Sequence, residues 1–129
     1  MRSVLFALLI AAAPAMAQEP PALRFVGSES TLAVSPDELV EVISVQDGDR
    51  FLIIVEMVEP VGDRFAELTE ATEGDPLTVQ LCGRGFVTIT SGGRVDGGRA
   101  NIPAPSMDFA DTAAEVLRAE KTCSDILVQ

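Results

Sequence analysis

The clearest pattern of apolar and polar positions in the chain runs from Phe51 to Cys82. It begins with apolar residues on both faces of an extended segment, Phe51, Ile53, Val55 and Met57 on one and Leu52 and Ile54 on the other. Such a strand belongs inside a sheet. Pro60 ends it, and apolar spacing typical of a helix then continues to Gly74, through Phe65, Leu68 and Thr72. A further strand follows with every second residue apolar, at Leu77, Val79 and Leu81.

Shorter elements are predicted before this stretch. Leu23–Val26 is expected to pair at the edge of a sheet, and Thr31–Val34 to form a second short strand. Ser35 is a favourable N-cap for a single helical turn. The β-branched run at residues 40–45 then leads into Asp47-Gly48, which is a strong hairpin signal.

Glycines divide the chain after Cys82. A turn at Gly83-Arg84-Gly85 precedes a strand at residues 86–90, and a looser connection leads into another strand at residues 99–102. No phosphate-binding motif is present, so we interpret these glycines as turns. A last helix is predicted with Asp108 as its N-cap and with an apolar stripe formed by Phe109, Ala113, Val116 and Leu117.

These elements predict one domain of the α+β class. We expect a mostly antiparallel sheet of about four to six strands, with two helices packed on one face. The domain would cover residues 31–129, after an extended lead-in at residues 18–30.

The first seventeen residues have the pattern of a cleaved signal peptide. Arg2 provides a positive end, an apolar run follows, and Ala15-Met16-Ala17 forms an A-x-A cleavage site. The apolar run is too short to cross a bilayer. We therefore expect a soluble periplasmic protein that begins at Gln18 and has no membrane span after cleavage.

Composition restricts the function classes. Twenty Asp and Glu against nine Lys and Arg give a net charge of −11, which opposes binding to nucleic acid or anionic membranes. Histidine, tyrosine and tryptophan are absent, and Lys121 is the only lysine, so the commonest general base and a Ser-Lys pair are missing. No carboxylate pair or metal-ligand spacing stands out. The expectation is a protein that is not an enzyme and holds no cofactor or metal.

Two cysteines, Cys82 and Cys123, are predicted to form a disulfide. Exported proteins fold in an oxidising compartment, where two cysteines normally pair. Cys82 ends a strand and Cys123 follows the last helix, so contact is feasible. Two separate free thiols are the alternative.

Several segments resemble the SecD subunit of bacterial protein export. Residues 65–69 (FAELT) and 76–81 (PLTVQL) resemble its run RFAELT…G.PLAIVLDG, and residues 97–102 (GGRANI) resemble its GGxxQI. The likeness covers residues 31–121 and corresponds to the head of the first periplasmic domain of SecD. Departures include Cys82 at the position of the family's Asp. The base and the membrane helices of SecD have no counterpart here, so proton-coupled translocation is not implied.

The resemblance implies a protein-interaction module whose partners are exported polypeptides or proteins of the export apparatus. Exposed strand edges near Leu23 or Phe86 are candidate binding sites, with the loop from Ser91 to Arg99 flexing to admit a ligand. A small-ligand-binding or enzymatic domain that reuses the fold is one alternative. A structural protein of the cell envelope is another.

Overall fold

The computed structural model describes residues 22–127, so the predicted signal peptide and the start of the lead-in lie outside the described residues. These described residues form seven strands: β1 (Leu23–Val26), β2 (Thr31–Val34), β3 (Leu39–Asp47), β4 (Arg50–Met57), β5 (Pro76–Leu81), β6 (Arg84–Thr90) and β7 (Arg99–Ala104). The helices are α1 (Glu59–Ala71), α2 (Met107–Leu117) and the short α3 (Cys123–Leu127). The turn predicted at Ser35 is a single 3-10 turn, Pro36–Glu38.

All strand pairs are antiparallel, and the predicted α+β class is confirmed. The expectation of one sheet is wrong, because the strands divide between two. A four-stranded sheet has the order β2-β1-β5-β6, and a three-stranded sheet has the order β3-β4-β7. After β6 the chain leaves the first sheet, and β7 pairs with β4 instead of extending the sheet beyond β6.

The prediction of an interior strand at Phe51 is confirmed, since β4 lies between β3 and β7. Its inward residues Ile53, Val55 and Met57 belong to the main hydrophobic core. The hairpin from β3 to β4 turns through Gly48 at φ +64°, a conformation that glycine adopts without strain.

β1 is a strand, as predicted, but its expected place at a sheet edge is wrong. It pairs with β2 on one side and with β5 on the other. Leu23 and Phe25 are completely buried. Their side chains lie on the inner face of the sheet, where two large apolar groups are removed from water.

The helices complete the core. α1 buries Val61, Phe65 and Leu68, and the rings of Phe65 and Phe25 lie 4.9 Å apart. α2 packs on all three strands of the second sheet. Its N-cap is Ser106, two residues before the predicted Asp108, because the extended backbone at Ser106 lets its Oγ accept the N–H of Phe109 at 3.1 Å.

The predicted disulfide between Cys82 and Cys123 is present, with 5.6 Å between the two Cα atoms. Cys82 and Gly83 are the central residues of the hairpin between β5 and β6, and both have positive φ, +55° and +86°. This is the pattern of the mirror-image turns that suit tight hairpins. The bond therefore joins the tip of the hairpin to α3.

Candidate functional site

The free edge of the four-stranded sheet is the side of β6 that faces away from β5. Just beyond β6, Ser91 donates its N–H to the carbonyl of Asp75 at 3.1 Å, and Gly74 donates to the carbonyl of Ser91 at 2.8 Å. Ser91 is therefore a hydrogen-bonded position of the β5–β6 ladder. This fixes which main-chain groups of β6 point to its partner and which to the open edge.

Antiparallel strands alternate between hydrogen-bonded and non-bonded pairs. Counting back by two from Ser91, Ile89 and Val87 bond to β5, whereas Thr88 and Thr90 direct their N–H and C=O groups to the edge. The short distance between the hydroxyls of Thr88 and Thr78, 3.2 Å, agrees with this, since side chains approach most closely in non-bonded pairs. Within residues 22–127 no strand pairs with these outward groups.

The features that usually protect an edge against strand addition are confined to the start of β6, where Arg84 is charged and the register with β5 shifts beside Phe86. Residues 86–90 contain no charge and no proline, and all five are β-branched or aromatic, the types with high strand propensity. β7, by contrast, carries Pro103 at its free edge, and the edge of β3 is interrupted by a bulge beside Glu41. β2 is only four residues long. Of the edges described, β6 is the one most suited to pair with another strand.

A cavity of about 310 Å³ opens beside the C-terminal end of β6. Its walls come from both sheets, from α1 and from the loop after β6, and the lining residues are Phe25, Phe65, Thr69, Leu77, Ile89, Thr90, Ser91, Gly92, Val95, Arg99, Ala100, Asn101 and Ile102. The apolar side chains are those of the inner sheet faces. The cavity is thus a place where the hydrophobic core reaches the gap between β6 and β7.

The glycine-rich loop, residues 91–98, is attached to α1 at several points. The Ser91 hydroxyl donates to the Thr69 carbonyl at 2.7 Å, and the Thr69 hydroxyl accepts the N–H of Val95 at 2.9 Å. Both Ser91 and Thr69 are buried. Val95, which lines the cavity, is 37% exposed. The loop therefore forms one wall of the cavity at a defined position.

Charged groups hold the outer part of this loop. The Arg94 guanidinium lies 2.8 Å from a carboxylate oxygen of Glu70 and 2.9 Å from one of Asp96. The hydrogen bond to Glu70 and, to a smaller extent, the hydrogen bond to Asp96 raise the pKa of Arg94. Because the guanidinium is engaged by two carboxylates, this loop is poorly suited to hold a phosphate group.

No cluster of three or more potential metal-ligating side chains occurs among the described residues. A second cavity, of about 420 Å³, lies at the start of α1 and is bordered by Glu56, Glu59 and Asp63. The disulfide predicted from the sequence lies at the opposite end of β6 from the first cavity. Cys82 and Cys123 thus support the scaffold and do not line the candidate site.

Sequence reasoning identified the edge near Phe86 but missed the cavity. The alternation of Ala100 and Ile102 indicates that they face inward. The same alternation does not show that β7 pairs with β4 in the second sheet instead of extending the first sheet beyond β6. The cavity lies in the gap that this pairing leaves between β6 and β7.

Comparison with known proteins gives a structural likeness only. No protein-family profile matches the sequence, and no curated protein matches it. A solved structure of SecDF, described as a membrane component that enhances protein export, superimposes with a TM-score of 0.60 at 25% identity over 67% of this chain. The fold is SecD-like. A second SecDF structure, in a super-membrane-facing form, matches with the same TM-score, identity and share of this chain.

The likeness concerns a part of SecDF. The match covers 40% of the first SecDF chain and 12% of the second. In the part of the sequence that the structure describes, no helix is both long and apolar enough to cross a membrane.

Proposed function

We propose that this SecD-like domain is a periplasmic protein-interaction module that binds extended polypeptide in connection with protein export. The observation that carries the proposal is the open edge of β6 on a fold shared with SecDF, a component that enhances protein export. An unpaired strand edge binds a partner chain through main-chain hydrogen bonds, which do not depend on a particular sequence.

Binding of this kind suits transient contact with many chains. The outward groups of Thr88 and Thr90 offer two donors and two acceptors. Each net hydrogen bond contributes on the order of 0.5–1.5 kcal/mol. The edge alone therefore supports weak, reversible binding, and any tighter binding needs side-chain contacts.

The proposal makes the domain a binding module without catalytic activity or cofactor. It is supported by the absence of histidine from the sequence, which removes the side chain most often used as a general base. The cavity beside β6 favours one other candidate, a domain that binds a small apolar metabolite. Titration distinguishes the two.

The test uses residues 18–129, purified and titrated with unfolded secretory proteins and, separately, with a panel of small metabolites. Saturable binding of the polypeptides is expected. Thr88→Pro removes one outward N–H without breaking the β5 ladder and should weaken binding by about two- to tenfold. Ala33→Pro is the matched control, because Ala33 is exposed on the opposite edge strand, β2.

Binding confined to metabolites would overturn the polypeptide proposal. Equal loss from the two proline variants would show that the β6 edge is not the site. Export is tested separately by fractionating cells that express the whole chain. A periplasmic protein whose mass begins at Gln18 is expected, and retention of Arg2 would contradict cleavage.

A further inference from the structure

The cavity and the open edge of β6 lie next to each other. Thr88 and Thr90 present main-chain groups at the edge, while Ile89, between them, points its side chain to the inner face and lines the cavity. A strand added to β6 would continue the same alternation, because side chains of neighbouring strands share a face. Every second residue of that strand would face the cavity.

The volume of the cavity fits one large side chain. At about 310 Å³ it is roughly twice the size of a 150 Å³ apolar cavity known to take up benzene. Phe25, Phe65 and Leu77 line the part within the core, and Ala100 and Ile102 line the side toward β7. A cavity with such walls favours an aromatic or large aliphatic group over a charged one.

The net charge of the chain also disfavours an acidic polypeptide as the ligand. The whole chain is strongly acidic, with a net charge of −11, whereas residues 86–90 carry no charge and Arg99 is the one charged residue that lines the cavity. An acidic segment would be repelled by the domain as a whole, and a neutral or basic one would not.

We infer that the cavity is a side-chain pocket for a polypeptide strand that adds antiparallel to β6, and that it selects an aromatic or large aliphatic residue. This deepens the proposed function and rests on it. Antiparallel pairing is chosen because it is the more stable arrangement per residue. The ligand is an extended, non-acidic segment with one such residue placed opposite Ile89.

The sequence provides a clean spectroscopic test, because the protein has no tryptophan or tyrosine of its own. The probes are short serine- and threonine-rich peptides with a lysine at each end and either tryptophan or alanine at the centre. The tryptophan peptide should bind about 10- to 100-fold more tightly, with a blue shift of its emission on burial. N-acetyltryptophanamide should bind far more weakly, since it lacks the strand.

N-methylation of the peptide tests the strand geometry. In an antiparallel pair, the residue opposite Ile89 directs its N–H away from β6, whereas its two neighbours donate to β6. Methylation of the tryptophan nitrogen should therefore change affinity little, and methylation of either neighbour should weaken binding at least about tenfold. If both methylations have the same effect, antiparallel strand addition is wrong.

Ala100→Leu tests the pocket itself. It fills the cavity and should reduce the affinity of the tryptophan peptide to that of the alanine peptide, with the alanine peptide unchanged. Ala33→Leu, at an exposed position on β2, is the matched control and should change neither affinity. Far-UV circular dichroism and thermal unfolding establish that both variants are folded.

The outcomes separate this inference from the proposed function. Equal affinities of the tryptophan and alanine peptides would overturn the pocket while leaving polypeptide binding at the edge intact. Binding of unfolded proteins that is insensitive to Ala100→Leu would do the same. Failure of both peptides and unfolded proteins to bind would overturn the proposed function and this inference together.

Discussion

Removal of the disulfide should destabilise the domain by an amount that loop closure predicts. Cys82 and Cys123 are 41 residues apart in sequence, and the chain-entropy relation gives about 4 kcal/mol for a loop of that length at 25 °C. The double variant Cys82→Ala, Cys123→Ala should lose about this free energy of unfolding. In urea, with an m-value of about 1–3 kcal/mol per molar, the midpoint should fall by about 1–4 M.

A second variant separates the cross-link from the backbone of the turn. Alanine at position 82 would have to keep φ near +55°, which costs roughly 1–2 kcal/mol, whereas glycine adopts that conformation freely. Cys82→Gly with Cys123→Ala should therefore be more stable than the double alanine variant by about 1 kcal/mol. Far-UV circular dichroism is the appropriate signal, since tryptophan fluorescence is absent. An unchanged midpoint in both variants would refute the loop-closure argument.

Four further substitutions, with Gly92→Ala as a control, test the packing and the cap of α2 by urea unfolding. Gly62→Ala should destabilise the domain by about 1–3 kcal/mol, although alanine has the better helix propensity, because the new Cβ would lie 2.9 Å from the Cα of Gly98. Gly92→Ala places a Cβ where no atom lies within 4 Å and should be nearly neutral. Equal destabilisation by the two substitutions would contradict the steric argument. Ser106→Ala should cost about 1 kcal/mol, and no loss would show that its hydroxyl does not cap α2. Leu68→Ala should cost about 2–5 kcal/mol, and an unchanged midpoint would mean that the buried face of α1 is assigned wrongly.

Local patterns predicted the strands and helices well, because strand alternation and helical spacing depend only on residues close together in sequence. The succession of β4, α1 and β5 follows directly from them. The N-cap of α2 was predicted two residues too late, at Asp108, because Ser and Asp side chains can both accept the capping hydrogen bond and the sequence does not show where the backbone is extended; that position is Ser106.

Pairing of distant strands was not predictable from alternation. Alternation shows that Leu23 and Phe25 face inward, but an inward face is the same at an edge and in the interior of a sheet. Likewise, nothing near Arg99 indicates that β7 joins β4 and not β6. Of the two edges expected from the sequence, near Leu23 and near Phe86, only the second is an edge, because β2 and β5 enclose β1. The cavity depends on the separation of the two sheets and was therefore missed.

The two sheets are interleaved along the chain, and this governs how the domain acquires its structure. Leu23 pairs with Leu81, and Phe51 pairs with Ala104, so each sheet closes only after a strand from the second half of the sequence has been added. Contact order is high as a result, which places such a domain among slow folders, in the range of about milliseconds to seconds. Neither half of the chain contains a complete sheet. The domain is therefore expected to fold and unfold as one cooperative unit, with both sheets forming in a single transition.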